Sequence, residues 1–305
     1  MAAGLAAVAA GLYLGQGRET RILDEGERRR LGGSFATLAD GITAYEDTGP
    51  VDRPAVVLLH GATVAGFDWE RQEDPLARAG LRVIRYDMLG RGRSDRPAVT
   101  YDRALYERQL LGLLDHLRLR SPVHLVGHSF GGATAVRFAA RHSNRVERLA
   151  LIAPMVNGVA SRTPFVIAGL PGIGPFLMRV AVGPALSRRF RGQLECCPAD
   201  AKRLERRFRE QLAWTGYEQA VHSMFTSDAI GDYRDDYRAV GEKGRPVLVL
   251  RGTKDADITA ADIDEALDLL GPSARLLSLD GAGHSPNFEV PGLVNTALTG
   301  FLTGG

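Results

Sequence analysis

Gly127-His128-Ser129-Phe130-Gly131 lies between a largely apolar run, Val123 to Val126, and a segment of helical character, Gly132 to Arg141. A serine bracketed by glycines between a strand and a helix fits a sharp turn that lifts its hydroxyl clear of the backbone. Such a turn holds the serine in a strained conformation, and glycines on both sides let the chain reverse without a Cβ clash. Ser129 is therefore the candidate nucleophile. Five residues alone are a weak pattern, so the reading rests on what is arranged around them.

Upstream, Phe35 to Leu38 and Ile42 to Glu46 flank Asp40-Gly41, which predicts a β-hairpin. Ala55 to Leu59 is continuously apolar, as expected of a strand buried on both faces. A helical stretch over Glu73 to Ala79, a short strand over Arg82 to Tyr86 and a helix around Tyr106 to Leu117 follow. After the serine turn comes another buried strand, Leu149 to Ile152, and then regular alternation stops. From about Met155 to Arg238 the chain reads as helical or irregular, with clustered Pro and Gly. Strand-like runs resume at Val247 to Leu250 and Arg275 to Leu279, and a final helix fits Val290 to Leu302.

Strands alternating with helices on both sides of a helical insert predict an α/β fold, a mostly parallel sheet flanked by helices and carrying a cap. The expected divisions are an N-terminal apolar or helical extension (1–32), a core (33–154 with 239–305) and a helical cap (155–238).

The 305 residues can bury a sizeable core, and 45% hydrophobic with 24% charged residues is ordinary for a soluble globular protein. A net charge of +2 gives no footprint of a nucleic-acid partner. The only cysteines, Cys196 and Cys197, are adjacent and read as two reduced thiols rather than a vicinal disulfide. No metal-ligand spacing occurs, and the expected compartment is the cytoplasm.

Ala2 to Leu14 is mostly apolar, yet shorter than the roughly 20 residues a spanning helix needs. It also lacks a basic leader, since the first arginine is Arg18. The expectation is a loosely packed helix, with contact at a membrane surface through residues 1–17 as the rival. In the insert, Leu204, Phe208 and Leu212 form a helical stripe ringed by Arg203, Arg206, Arg207 and Arg209, with Pro198 and Asp200 at its start. This predicts an amphipathic helix with a solvated basic face; attraction to anionic lipid is the alternative. Pro164 to Leu186 is apolar but broken by Pro171, Gly172, Gly174, Pro175 and Arg179, which predicts short helices lining an apolar entrance rather than a membrane span.

A neutral serine hydroxyl needs a base within hydrogen-bond reach. Of seven histidines, His284 stands in a glycine-rich loop, Gly281-Ala282-Gly283-His284, just past the last predicted strand. His116, His124, His128, His142 and His222 read as structural or surface residues. The base needs a carboxylate to orient it. Asp255, in Arg251-Gly252-Thr253-Lys254-Asp255 just past a strand, is the candidate, and Asp257 is its competitor. A developing oxyanion needs backbone donors. His60-Gly61-Ala62 directly follows the strand Ala55 to Leu59, so the amides of Ala62 and Phe130 are the candidate pair. His60 and Gly61 support that loop, His60 through hydrogen bonds rather than proton transfer.

These pieces resemble the α/β-hydrolase superfamily, in its lid-bearing branch of serine esterases and monoacylglycerol-lipase-like carboxylesterases. The resemblance is carried by His60-Gly61, Tyr86-Asp87-Met88-Leu89-Gly90-Arg91-Gly92-Arg93-Ser94-Asp95, Gly127 to Gly132, Gly252 to Asp255 and Gly283-His284, in the family's order from about Phe35 to the C-terminus. It implies an α/β-hydrolase fold, no cofactor or metal, and the chain order serine, acid, histidine. It implies that Asp87 to Asp95 is a structural turn, although Gly90 and Gly92 suggest a phosphate loop. The expected substrate is a small ester or lipid-like molecule with an apolar acyl part. Carbon–carbon bond hydrolases of aromatic ring cleavage, thioesterases, acyltransferases and perhydrolases share the same three residues and stand as alternatives, as does a receptor-like binder. Ser129 argues against dehalogenases and epoxide hydrolases, which place an aspartate there.

Overall fold

The computed structural model describes residues 19–158, 166–167, 169–170, 173–178, 180, 183–193 and 198–304. Residues 1–17 and Cys196-Cys197 lie outside them. Eight strands form one sheet: β1 (Ser34–Leu38), β2 (Gly41–Thr48), β3 (Ala55–Leu59), β4 (Arg82–Tyr86), β5 (Val123–His128), β6 (Val146–Ile152), β7 (Val247–Gly252) and β8 (Ala274–Leu279). Their spatial order is β1-β2-β4-β3-β5-β6-β7-β8. The β1–β2 hairpin and the β2–β4 pair are antiparallel, and every other pairing is parallel.

The central strands are apolar throughout because successive side chains enter two different cores. Val57, Leu59, Leu125, Leu149, Leu151, Val247 and Val249 face one side. There they meet Leu110 and Leu113 of helix Arg103–His116, Val136 and Phe138 of helix Phe130–Arg141, and Ile263 and Ala266 of helix Ala260–Leu270. Val56, Leu58, Val126, Ala150, Ile152, Leu248 and Leu250 face the other side. They meet Leu76 of helix Glu73–Arg78 and Val294, Leu298 and Leu302 of helix Pro291–Thr303. Helices on both faces of a largely parallel sheet leave the strand carboxyl ends open for a site.

Between β6 and β7 the described chain is helical: Ile173–Leu177, Gly183–Gln193, Pro198–Leu212, Tyr217–Phe225 and Arg234–Glu242. The last of these spans position 238, and its Tyr237 and Val240 are buried in the same core as Val136 and Phe138. In Pro198–Leu212, Leu204 and Phe208 are buried with Phe67, Phe190 and Phe288. Arg203 and Arg207 pair with Glu70 at 2.6 and 2.8 Å, and Arg203, Arg206 and Arg209 remain solvent-exposed. No described helix is long and apolar enough to cross a membrane.

Candidate active site

Ser129 follows β5 and caps the helix Phe130–Arg141 with φ 54° and ψ −116°, a positive φ that costs about 1–3 kcal/mol for a non-glycine residue. Neighbouring backbone holds it there. The Ser129 N–H donates to the Ile152 carbonyl (2.9 Å), and its own carbonyl accepts from Gly132 (3.0 Å) and Met155 (3.2 Å). The flanking glycines are demanded by close approach: a Cβ on Gly127 would strike the Gly131 carbonyl, and one on Gly131 would strike the carbonyls of Leu59 and His60.

The loops after β7 and β8 bring Asp255 and His284 to this turn. They touch through Gly252, where a Cβ would collide with the carbonyls of Ala282 and Gly283, and through Lys254 N–H donating to the Ala282 carbonyl (2.8 Å). His284 Nε2 lies 3.1 Å from Ser129 Oγ, and its Nδ1 lies 2.9 Å from Asp255 Oδ2. Nδ1 faces a carboxylate and so carries the proton, leaving Nε2 free to accept from the hydroxyl. The other oxygen of Asp255 accepts from the backbone N–H of Asp257 (2.8 Å) and of Ile258 (3.1 Å). Burial would raise the Asp255 carboxyl, but the His284 hydrogen bond and these amides hold it below the usual carboxylate range. The competing Asp257 lies 3.9 Å from His284 Nδ1, is far more exposed, and pairs with Arg189.

The Gly61–Ala62 peptide is fixed by His60. His60 Nδ1 is 2.8 Å from the Gly61 carbonyl, while Nε2 accepts from Met88 N–H at 2.9 Å. These partners set the Nδ1–H tautomer, and burial pushes the imidazole pKa down, keeping it neutral. In a trans peptide the Ala62 N–H points opposite to the Gly61 carbonyl, so His60 orients that amide without touching it. Arg91 Nε donates to the Ala62 carbonyl (2.6 Å), and Gln211 Nε2 donates to the Thr63 carbonyl (2.8 Å). The Phe130 N–H occupies the first turn of its helix, where no intrahelical acceptor exists.

In the Asp87 to Asp95 stretch the Asp87 carboxylate ties two loops together. Asp87 Oδ1 and Oδ2 accept from the N–H groups of Gly66 and Arg93, both at 2.7 Å, and Gly92 adopts φ 49° against that carboxylate.

The remaining histidines lie elsewhere, with one exception. His116 meets the Tyr45 ring edge-on, and His142, one residue past its helix, approaches Glu107 at 3.0 Å. His124 sits at the opposite end of β5, and His222 lies on the helix Tyr217–Phe225. His128 is the exception: it is buried beside Ser129, with Nδ1 2.8 Å from Asp68 Oδ2. Neither Asp68 nor Asn287, which donates to it at 3.1 Å, is marked by any sequence motif. Asp255, Asp257 and His284 are also close enough to converge on an ion, but Asp255 and His284 bind one another and Asp257 is ion-paired.

Comparison with known proteins agrees with this architecture. A statistical description of the alpha/beta hydrolase family matches residues 56–297. A non-heme haloperoxidase of Rhodococcus erythropolis is 30% identical over 88% of this chain and 98% of its own. A 2-hydroxy-6-oxononadienedioate/2-hydroxy-6-oxononatrienedioate hydrolase of Cupriavidus pinatubonensis is 29% identical over 88% and 94%. The crystal structure of the enol-lactonase from Burkholderia xenovorans LB400 superposes with a TM-score of 0.74 at 25% identity, covering 88% of this chain and all of that one.

Proposed function

The chain belongs to the alpha/beta hydrolase family, and on that premise we propose that it is a serine hydrolase cleaving carboxylic esters with an apolar acyl part. The observation that carries the proposal is the continuous path from Ser129 Oγ through His284 to Asp255, at 3.1 and 2.9 Å. His284 Nε2 takes the hydroxyl proton as Oγ attacks the ester carbonyl, and Asp255 stabilises the imidazolium that forms. The amides of Ala62 and Phe130 receive the oxyanion; such donors contribute about 3 kcal/mol each. His284 then protonates the leaving alcohol, and a water deprotonated by the same nitrogen releases the acid from the acyl-enzyme.

The described insert helices from Ile173–Leu177 to Tyr217–Phe225 act as a cap over the acyl group. The buried stripe of Leu204 and Phe208 against Phe67 supports this reading. Initial rates on p-nitrophenyl esters from acetate to palmitate test it. A defined optimum in chain length is expected, and no turnover of any ester by folded protein overturns it.

The C–C hydrolase relative in the comparison favours a second reading, because carbon–carbon hydrolysis uses the same three residues. Turnover of a ring-fission dienone exceeding every ester would select it.

A further inference from the structure

A second aspartate–histidine pair lies directly behind Ser129 and His284. His128, the last residue of β5, is 4% exposed, and Asp68, in the short turn Gly66–Trp69, is 2% exposed. His128 Nδ1 is 2.8 Å from Asp68 Oδ2, and its Nε2 is 2.9 Å from the main-chain oxygen of His284. A carbonyl oxygen only accepts, so Nε2 carries a proton and donates it.

Asp68 is meanwhile crowded with donors. Its Oδ2 also accepts from the Gly61 N–H (3.1 Å), and its Oδ1 accepts from Asn287 Nδ2 (3.1 Å). Three donors on one carboxylate favour the ionised acid, and with it a second ring proton on His128. Gln72 Nε2 holds the Asn287 carbonyl at 2.9 Å, and the Trp69 indole meets the His128 ring edge-on. One buried carboxylate thus ties together the loop bearing the Ala62 amide, the strand bearing the nucleophile and the loop bearing the base.

We propose that Asp68 and His128 form a buried carboxylate–imidazolium pair in which His128 is a positioning residue, holding His284 against Ser129 through the His284 carbonyl. The proposal rests on His284 being the base. Its carbonyl belongs to the same residue as the reacting imidazole, so fixing that oxygen fixes the backbone from which the ring reaches Oγ. Misplacing such a group by about 1 Å costs up to about 100-fold in rate.

The titratable groups facing His128 are Asp68, Asp255 and His284, whose ring centroid is 5.2 Å away. Burial disfavours the His128 cation, yet Asp68 and the His284 carbonyl raise its pKa; His128 in turn holds the Asp68 carboxyl down against burial.

The test uses the full chain, with His128→Gln, which retains an N–H donor without charge, and His128→Leu, which removes both. His128→Leu is expected to lower kcat on a p-nitrophenyl ester by about 100-fold with KM within about threefold, and His128→Gln to recover about tenfold. Wild-type kinetics in His128→Leu, or equal loss in both variants, overturns the proposal.

Two readouts need neither substrate recognition nor a folded His128→Leu. Both ring N–H protons of wild-type His128 are expected in NMR spectra at about pH 7.5, above the ordinary imidazole value, and a single one overturns the pair. Ser129 labelling by a fluorophosphonate is expected to slow in His128→Gln. Should the esters not be cleaved at all, these two results still decide the proposal separately from the proposed function.

Discussion

The Tyr217 hydroxyl donates to the Thr63 carbonyl at 3.1 Å, so a helix of the insert holds the loop that carries the Ala62 amide. Gln211, on the preceding insert helix, donates to the same oxygen at 2.8 Å. The buried Arg91 extends the bracing from Ala62 to Met224, with its guanidinium 5.7 Å from the Tyr217 ring. The insert is therefore coupled to the Gly61–Thr63 loop by polar contacts as well as by packing.

That coupling predicts a rate effect without a large affinity effect. Tyr217→Phe and Gln211→Ala each remove one donor to Thr63 and leave the other. Each is expected to lower kcat by about 3–10-fold, since a typical hydrogen bond is worth about 1 kcal/mol. The double variant is expected to lose more than the product of the two, because the carbonyl then has neither partner. Steady-state kinetics on a soluble ester checks this.

The two neighbouring carboxylates differ in what they hold. Asp255 bonds His284 and two backbone amides, whereas Asp257 faces solvent and Arg189. Asp255→Asn is expected to lower kcat by about 10³–10⁴, as when the orienting acid of a triad becomes an amide. Asp257→Asn is expected to stay within about threefold. Comparing kcat of the two variants on one ester decides it.

Gly252 marks where the loops bearing Asp255 and His284 pass each other. Gly252→Ala places a methyl against the carbonyls of Ala282 and Gly283, which are backbone and cannot rotate away. Overpacking of this kind costs about 1–3 kcal/mol, so a lowered Tm is expected together with a larger fall in kcat than the stability loss alone explains. Thermal unfolding and kinetics on the same preparation separate the two effects.

His124 predicts an acid sensitivity unrelated to catalysis. Its Nδ1 is buried without a hydrogen-bond partner, and burial lowers its pKa from 6.5 to about 4, against the opposing pull of Glu147. The unfolded chain therefore binds this proton first as pH falls, and stability drops between about 6.5 and 4. Linkage makes the loss on the order of 2 kcal/mol between pH 7 and pH 5. Above pH 7 the group is neutral in both states and contributes no pH dependence. His124→Leu is expected to flatten this part of the profile, measured by urea unfolding from pH 7 to 5.

What could be read in advance follows from how local each requirement is. Ala55 to Leu59 announces a doubly buried strand in five consecutive residues, and the Ser129 turn announces itself through the glycines its backbone contacts demand. Asp255 and His284 could be placed because each stands just past an apolar run. The Asp68–His128 pair joins residues from separate loops, and nothing near Asp68 marks it as buried. That Arg203 and Arg207 pair with Glu70 is not legible locally, because only the fold brings that carboxylate beside them. The helix Ala260–Leu270 had a local signal in the capping box of Thr259 and Asp262, but it is short and follows the acid loop directly.

The central claim is that Ser129 Oγ is the nucleophile, and parallel turnover of a short p-nitrophenyl ester by wild type and Ser129→Ala tests it most directly. The account predicts catalysed release of p-nitrophenol by the wild type and none above background in the variant, with both unfolding at the same temperature. Equal turnover by the two proteins would contradict it.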